Sequence, residues 1–420
     1  MVPELCIRKC SCCAHSHITQ QCILYHQHIN TSMSFDIDDG DREHYYRQYG
    51  KPEKRWPALR RSRLIFWAAI AAGTLLLLFL VSRFRAREVA VDWHTYAYSL
   101  YATDTHSLCN AILVFESLKR LGSRAERVLL YPQQWDTYVA SDTDRTSQLL
   151  TTARDDYNVN LMPIGLLGQD GATQPGEGLS SESNWDASIT KLRAFDLTPW
   201  KRVLHLDADI TLLKNLDHLF LIPSAPVAMP RAYWADVPAP DPNQSQPWPL
   251  TSLLLLLEPS RAQFSTLLDT LREWRTNPNV TSHGDGKKYD MDLLNYHFGS
   301  SALVLPQRPY ALLTAEFRNT DHSAYLGPHR KWDAQAVFEE AALVHFSDWP
   351  LPKPWTQWSS DALAEMQPKC DGQPLDSTCA ERKIWKGLYE DFRMKRRDIC
   401  MILSNPAPVW TKWKADHGAG

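Results

Sequence analysis

Between Arg202 and Leu213 the chain reads Arg-Val-Leu-His-Leu-Asp-Ala-Asp-Ile-Thr-Leu-Leu, and two carboxylates inside this apolar run constrain the fold more than any other stretch. Val203, Leu204 and Leu206 before them, with Ile210, Leu212 and Leu213 after them, have the pattern of a core strand in an α/β sheet. Asp207 and Asp209 interrupt it, and buried unpaired carboxylates are strongly unfavourable. Two acids at i and i+2 of an extended chain project to one side and can share a cation. A lone Asp-x-Asp is more often an acidic strand end facing water, so partners elsewhere in the chain must decide.

The 420 residues are enough for one large α/β domain with extensions. With 45 Lys and Arg against 48 Asp and Glu there is no concentrated basic excess, which excludes a nucleic-acid surface as the leading expectation. Many of the 16 Trp residues lie beyond residue 180 beside Pro and Asp, a mix that suits stacking on sugar faces.

Residues 64–82 form 19 consecutive uncharged positions. At a rise of about 1.5 Å per residue they match the bilayer's hydrocarbon thickness of about 30 Å, so a transmembrane signal-anchor helix is expected. Lys51, Lys54, Arg55, Arg60, Arg61 and Arg63 precede the run, against Arg83, Arg85 and Arg87 after it, which keeps the N-terminus cytosolic. Residues 1–63 read as a disordered cytosolic tail. Within it the crowded Cys6, Cys10, Cys12, Cys13 and Cys22 lack zinc-site spacing, and palmitoylation is a second reading; the favoured reading starts translation at Met33 and leaves 1–32 outside the mature chain. A short stem, residues 83–95, leads into the lumenal part. There the Asn243 and Asn279 sequons could carry glycans, and Cys109, Cys370, Cys379 and Cys400 could pair in more than one way.

The lumenal part opens with a strand-like run over residues 97–103, helical spacing over 108–121, Gly122, and a second strand-like run over 127–131, together a βαβ unit. No GxGxxG accompanies it. Residues 168–183 read as a flexible loop, residues 187–196 as a helix leading into the Asp-x-Asp strand, and the Leu run 253–257 as a central strand. Asp290 and Asp292 precede Leu293-Leu294, and His345 closes Ala342-Leu-Val-His. Two carboxylates and an imidazole around an otherwise open cation suit Mn²⁺, with Mg²⁺ as substitute. A nearby lysine such as Lys353 would complete a site for a diphosphate leaving group.

The ordered blocks Tyr101-Ala-Thr103, Thr190-Lys191-Leu, Leu206-Asp-Ala-Asp209, Tyr289-Asp-Met-Asp-Leu-Leu-Asn295 and His345-Phe…Lys353-Pro-Trp355 resemble the retaining glycosyltransferases of family eight, the glycogenin-like group. With the anchor and the string from His345 to Trp355, the resemblance is greatest to the fungal Golgi α-N-acetylglucosaminyltransferases. It implies a GT-A fold, a Rossmann-like mixed sheet, over residues 96–356, with residues 357–420 as an extension packing on it. It further implies a UDP-sugar donor, a glycan or glycoprotein acceptor, Mn²⁺, and a single-pass type II protein of the Golgi membrane. Asp207, Asp209 and His345 would hold the metal; Ala102 and Thr103 would line the uridine pocket. Lys191 would reach the sugar or diphosphate, Lys353 the leaving phosphate, and Asp290 and Asp292 the sugar and the acceptor.

Two departures stand out. Met291 replaces the Gln common between the paired acids, so no side-chain amide can attack the sugar, which favours same-face substitution assisted by the leaving diphosphate. Leu250-Thr-Ser-Leu stands where relatives often read Phe-Asn-Ser-Gly, leaving Thr251 or Ser252 as the sugar contact. The competing expectations are a glycogenin-like enzyme using UDP-glucose and a catalytically silent glycan-binding relative.

Overall fold

The computed structural model describes residues 66–77, 79, 91–168, 170–173, 188–235, 248–276, 289–370 and 379–418. The expected N-terminal tail, most of the stem, the Asn243 and Asn279 sequons and most of the 168–183 loop lie outside them. The chain divides into two units, Met1–Ala90 and Val91–Gly420. In the first, residues 66–77 and 79 are helical. Among the described residues no helix is long and apolar enough to cross a membrane, and both ends of the 64–82 run fall outside them.

The second unit is built on a mixed sheet of seven strands in the order β3-β2-β1-β4-β7-β6-β8. Strands β1 (Tyr96–Tyr101), β2 (Glu126–Pro132), β3 (Val159–Ile164) and β4 (Arg202–Leu206) run parallel. Helix α1 (Thr105–Arg120) crosses from β1 to β2, and α2 (Arg145–Tyr157) crosses from β2 to β3. The first crossover forms because its ends are encoded. Asp104 and Ser107 exchange hydrogen bonds at the start of α1, and Gly122 takes the left-handed φ of +69° just past its end. Beyond β4 the direction reverses: β7 (Leu254–Leu257) is antiparallel to β4 and to β6 (Val227–Pro230), and β8 (Leu303–Leu305) runs parallel to β6. The Leu run is thus an interior strand, buried on both faces, which explains its lack of alternation.

A smaller sheet, ordered β5-β10-β9, carries the other half of the site. Strand β5 (Ile210–Leu212) follows the Asp-x-Asp directly, pairs antiparallel with β10 (Leu343–His345), and β10 runs parallel to β9 (Leu312–Leu313). Two more helices position active-site elements, α3 (Arg261–Thr276) and α4 (Asp290–Phe298). The stretch expected as a helix from residue 187 is a 3-10 helix, Ser188–Asp196. Its residues are buried on nearly all sides, and the β-branched pair Ile189-Thr190 with Pro199 downstream disfavours an ordinary α-helix.

The C-terminal stretch packs on the sheet domain through α5 (Ala380–Cys400). Helix α5 lies against α1, and Cys400 is disulfide-bonded to Cys109 of α1; Cys370 bonds to Cys379. Its face toward the core buries Trp385, Leu388, Tyr389 and Phe392, while Lys383, Lys386 and Lys395 lie off that stripe.

Candidate active site

Asp207 and Asp209 occupy the bend that carries the chain from β4 of the large sheet into β5 of the small one. The turn needs no special backbone, because the apolar flanks anchor both sides: Leu206 and Ile210 are buried, and Asp207 N donates to Leu253 O at 2.9 Å. Pairing of β10 with β5 sets His345 opposite Ile210, and Phe346 N donates to Asp209 O at 2.9 Å. His345 Nε2 therefore stands 3.3 Å from Asp209 Oδ1 and 4.0 Å from Asp207 Oδ2.

One ligand atom from each of Asp207, Asp209 and His345 can be chosen so that all three lie within 4.8 Å of one another. The other ring nitrogen, His345 Nδ1, is buried with no hydrogen-bond partner among the described residues. If that nitrogen carries the proton, the Nε2 lone pair faces two carboxylates, an arrangement that a cation between them relieves. Two hard oxygens and one imidazole suit Mn²⁺ or Mg²⁺, so the residues fit the cation implied by the sequence.

Two lysines complete the cluster. Lys353 Nζ lies 2.6 Å from Asp209 Oδ2 and donates to Phe346 O at 2.9 Å. Lys191, on the 3-10 helix, lies 2.7 Å from Asp207 Oδ1 and 2.9 Å from Asp290 Oδ2, and donates to Ser252 O and Oγ, both at 3.1 Å. Ser252 Oγ donates to Asp290 Oδ2 at 2.6 Å. Burial alone would lower the Lys191 ammonium, but Asp207 and Asp290 reverse this and hold it well above the ordinary lysine value. The group stays charged.

The two acids of the motif are pushed apart. Burial, reinforced by Asp209 and Asp290, keeps Asp207 above the usual carboxylate range despite Lys191. Burial also works against ionisation of Asp209, yet Lys353 and His345 bring it well below that range. Asp290 likewise ends below it, because Lys191 and Ser252 outweigh its burial.

The remaining residues singled out in the sequence fall into three places. Ala102 and Thr103 leave the C-terminal end of β1, which runs parallel to β4 with Ser99 opposite His205, so they emerge at the same sheet edge as Asp207. Their backbone amides are engaged, Ala102 N with Leu130 O at 2.9 Å and Thr103 N with Ser107 Oγ at 2.9 Å. Thr251 is buried and holds the local chain through Thr251 N to Pro230 O at 2.8 Å and Leu253 N to its own Oγ1 at 3.3 Å. Asp292 is not brought into the Lys191 cluster: it is exposed, and its Oδ2 accepts from Tyr289 N at 3.0 Å, capping α4.

Two supporting residues were not singled out. His205 is fully buried beneath the site, its Nδ1 2.7 Å from Ser99 Oγ and its ring stacked on Tyr101 at 5.7 Å. Burial and the neighbouring Lys191 lower it to about 3, so it is neutral. Its place two residues before Asp207 in a strand was the available signal, since alternate side chains share a face. Asn295 binds the Leu250 backbone on both sides, Leu250 N donating to Oδ1 at 2.8 Å and Nδ2 donating to Leu250 O at 2.7 Å. Its Nδ2 also donates to Met291 O at 2.8 Å, so one amide joins the helix bearing Asp290 to the segment bearing Ser252.

No protein-family model matches the chain. Glucose N-acetyltransferase 1 of Aspergillus fumigatus is 48% identical over 314 residues, covering 74% of this chain and 78% of that protein. Glucose N-acetyltransferase 1 of Gibberella zeae is 40% identical over 328 residues, covering 77% and 66%. Among solved structures, the bifunctional glycosyltransferase WbbM has a TM-score of 0.42 and 16% identity, covering 71% of this chain and 52% of its own, a likeness too loose to carry an argument. The extent and level of the sequence matches establish that the chain belongs to the fungal glucose N-acetyltransferase 1 family.

Proposed function

We propose that the protein transfers N-acetylglucosamine from UDP-N-acetylglucosamine to a glycan acceptor with retention of the α configuration, using Mn²⁺ within a GT-A fold. The observation that carries this reading is the convergence of Asp207, Asp209 and His345 with Lys353 at the edge where β4 ends. When bound, the cation supplies charge neutralisation at the donor's diphosphate. Lys191, fixed as a cation by Asp207 and Asp290, adds a permanent positive charge to the site that receives the donor. Met291, beside Asp290 at the start of α4, has no amide to attack the sugar. The departing diphosphate therefore takes the acceptor hydroxyl's proton as the new glycosidic bond forms on the same face. The glycogenin-like reading differs only in taking UDP-glucose.

The catalytic unit is placed in the Golgi lumen behind a signal anchor at residues 64–82, on the strength of the uncharged run and its cationic flank. Two disulfides in the second unit support an oxidising compartment.

The relatives' name, read literally, describes transfer of an acetyl group to glucose, and one assay separates the readings. The protein is offered a panel of UDP-sugars, and separately acetyl-CoA with glucose, in the presence of Mn²⁺. UDP release greatest with UDP-N-acetylglucosamine supports the proposal. CoA release without UDP release would overturn it.

A further inference from the structure

The Asp209 carboxylate has two oxygens with different neighbours. Oδ1 faces His345 Nε2 at 3.3 Å, and Oδ2 is held by Lys353 Nζ at 2.6 Å. From these contacts we propose that Lys353 is a built-in counter-ion for Asp209, which a divalent cation displaces, and that the displaced ammonium then binds the donor's diphosphate. The inference rests on the function proposed above and adds an order to it: cation first, diphosphate second.

Charge makes the exchange necessary. Asp207, Asp209 and Asp290 are three carboxylates against the two ammonium groups of Lys191 and Lys353, an excess of one negative charge when all five are ionised. A divalent ion reverses that sign. The cluster then attracts a diphosphate and repels an ammonium sitting on the carboxylate that the ion shares.

The two lysines are not equivalent in their freedom to respond. The Lys191 side chain is 4% exposed and lies between Asp207, Asp290 and both oxygens of Ser252, so its withdrawal would leave two carboxylates without it. The Lys353 side chain is 29% exposed on a flexible four-carbon stem. Its backbone is fixed, so the head group moves without the loop. Thr356 N donates to Lys353 O at 3.0 Å, Leu351 N to Asp348 O at 2.8 Å, and Trp413 Nε1 to Pro350 O at 2.7 Å. The ammonium swings off Asp209 Oδ2, and its hydrogen bond to Phe346 O at 2.9 Å either follows the movement or is exchanged for the diphosphate.

Mn²⁺ titrations of the full chain, followed by the paramagnetic signal of free Mn²⁺, test this with and without UDP. Without UDP, Lys353→Met should bind Mn²⁺ about ten-fold more tightly than the wild type, and with UDP the order should reverse, because the released ammonium's contribution is missing. A second readout addresses charge removal in general and needs no variant: trace acetylation of wild-type lysines, quantified by mass spectrometry. Mg²⁺ should raise labelling of Lys353 several-fold and leave Lys191 unlabelled, and adding UDP should protect Lys353 again. Equal Mn²⁺ affinity in wild type and variant, or labelling of Lys353 unchanged by Mg²⁺, would overturn the exchange. Absence of Mn²⁺ binding in both proteins would instead overturn the metal site itself.

Discussion

Lys191 stands 2.9 Å from Asp290, on an element separated from α4 by four strands in the chain, and both side chains are almost completely buried. The pair joins the 3-10 helix Ser188–Asp196 to the first turn of α4, and through Asp207 it reaches the end of β4. Fixing one ammonium between two carboxylates makes the site rigid before any ligand arrives.

Replacing Lys191 with Met should therefore damage stability as well as activity. Two carboxylates would remain buried without their cation, a loss of about 3–5 kcal/mol. That corresponds to melting roughly 5–10 °C lower, measured by differential scanning calorimetry. Melting within a degree of the wild type would show that the pair is not structurally important.

Ser252→Ala removes one donor to Asp290 and one acceptor for Lys191, and should cost about 1–3 kcal/mol. Because the hydroxyl and the carboxylate act together, the double variant with Asp290→Asn should be less destabilised than the sum of the singles, by roughly 0.5–3 kcal/mol. Urea denaturation of the four proteins measures this; strict additivity would dissolve the network.

The Cys109–Cys400 disulfide closes a separation of 291 residues and pins α5 to α1. Replacing both cysteines with Ser should destabilise the second unit by roughly 2–5 kcal/mol. Peptide mapping without reduction should recover Cys109 linked to Cys400 and Cys370 linked to Cys379. Recovery of crossed pairs would contradict the packing of the C-terminal helix.

Burial lowers the His297 imidazole below its ordinary value of 6.5, while its Nε2 lies 2.7 Å from Thr270 Oγ1 and ties α4 to α3. The unfolded chain then takes up a proton before the folded one does. Stability should fall as pH drops through about 6.5, with the loss complete once the folded imidazole is protonated. The ring is only part-buried, so the effect should be below about 1 kcal/mol, or 1–2 °C in Tm. His297→Gln should reduce the difference in Tm between about pH 7.5 and pH 5; an unchanged difference would assign the acid sensitivity to other groups.

Much of the sheet was readable from the sequence because its signals are local. The acids in an apolar run, the five Leu residues, and the helical spacing of α1 closed by Gly122 each specify their own surroundings. What could not be read depends on distant chain meeting. His345 was named with the two acids, but the pairing of β10 with β5 that carries it to Asp209 was not legible, nor was the reach of Asn295 on α4 to Leu250. Asp292 shows the opposite difficulty: its spacing from Asp290 groups the two acids, yet on the first turn of a helix one points into the Lys191 cluster and the other caps the backbone. The 3-10 conformation of Ser188–Asp196 was hidden for a further reason, since a buried segment polar enough to hold Lys191 has no amphipathic stripe to fix its period.

Placement of the second unit in the lumen is open to a separate check. Glycans at Asn243 or Asn279 should be removable from the protein in fungal membranes by endoglycosidase, giving a downward gel shift that Asn243→Gln with Asn279→Gln abolishes. Protease digestion of intact membranes should spare this unit; its complete digestion would place it in the cytosol.

The most direct measurement of the central claim is the rate of UDP release from UDP-N-acetylglucosamine, with Mn²⁺ and after its removal by chelation, in the wild type and in Asp209→Asn. Release that needs Mn²⁺ in the wild type and falls at least about 100-fold in the variant is the predicted result. Equal release from both proteins, or release untouched by chelation, would contradict the assignment of Asp207, Asp209 and His345 as the cation site of a sugar transferase.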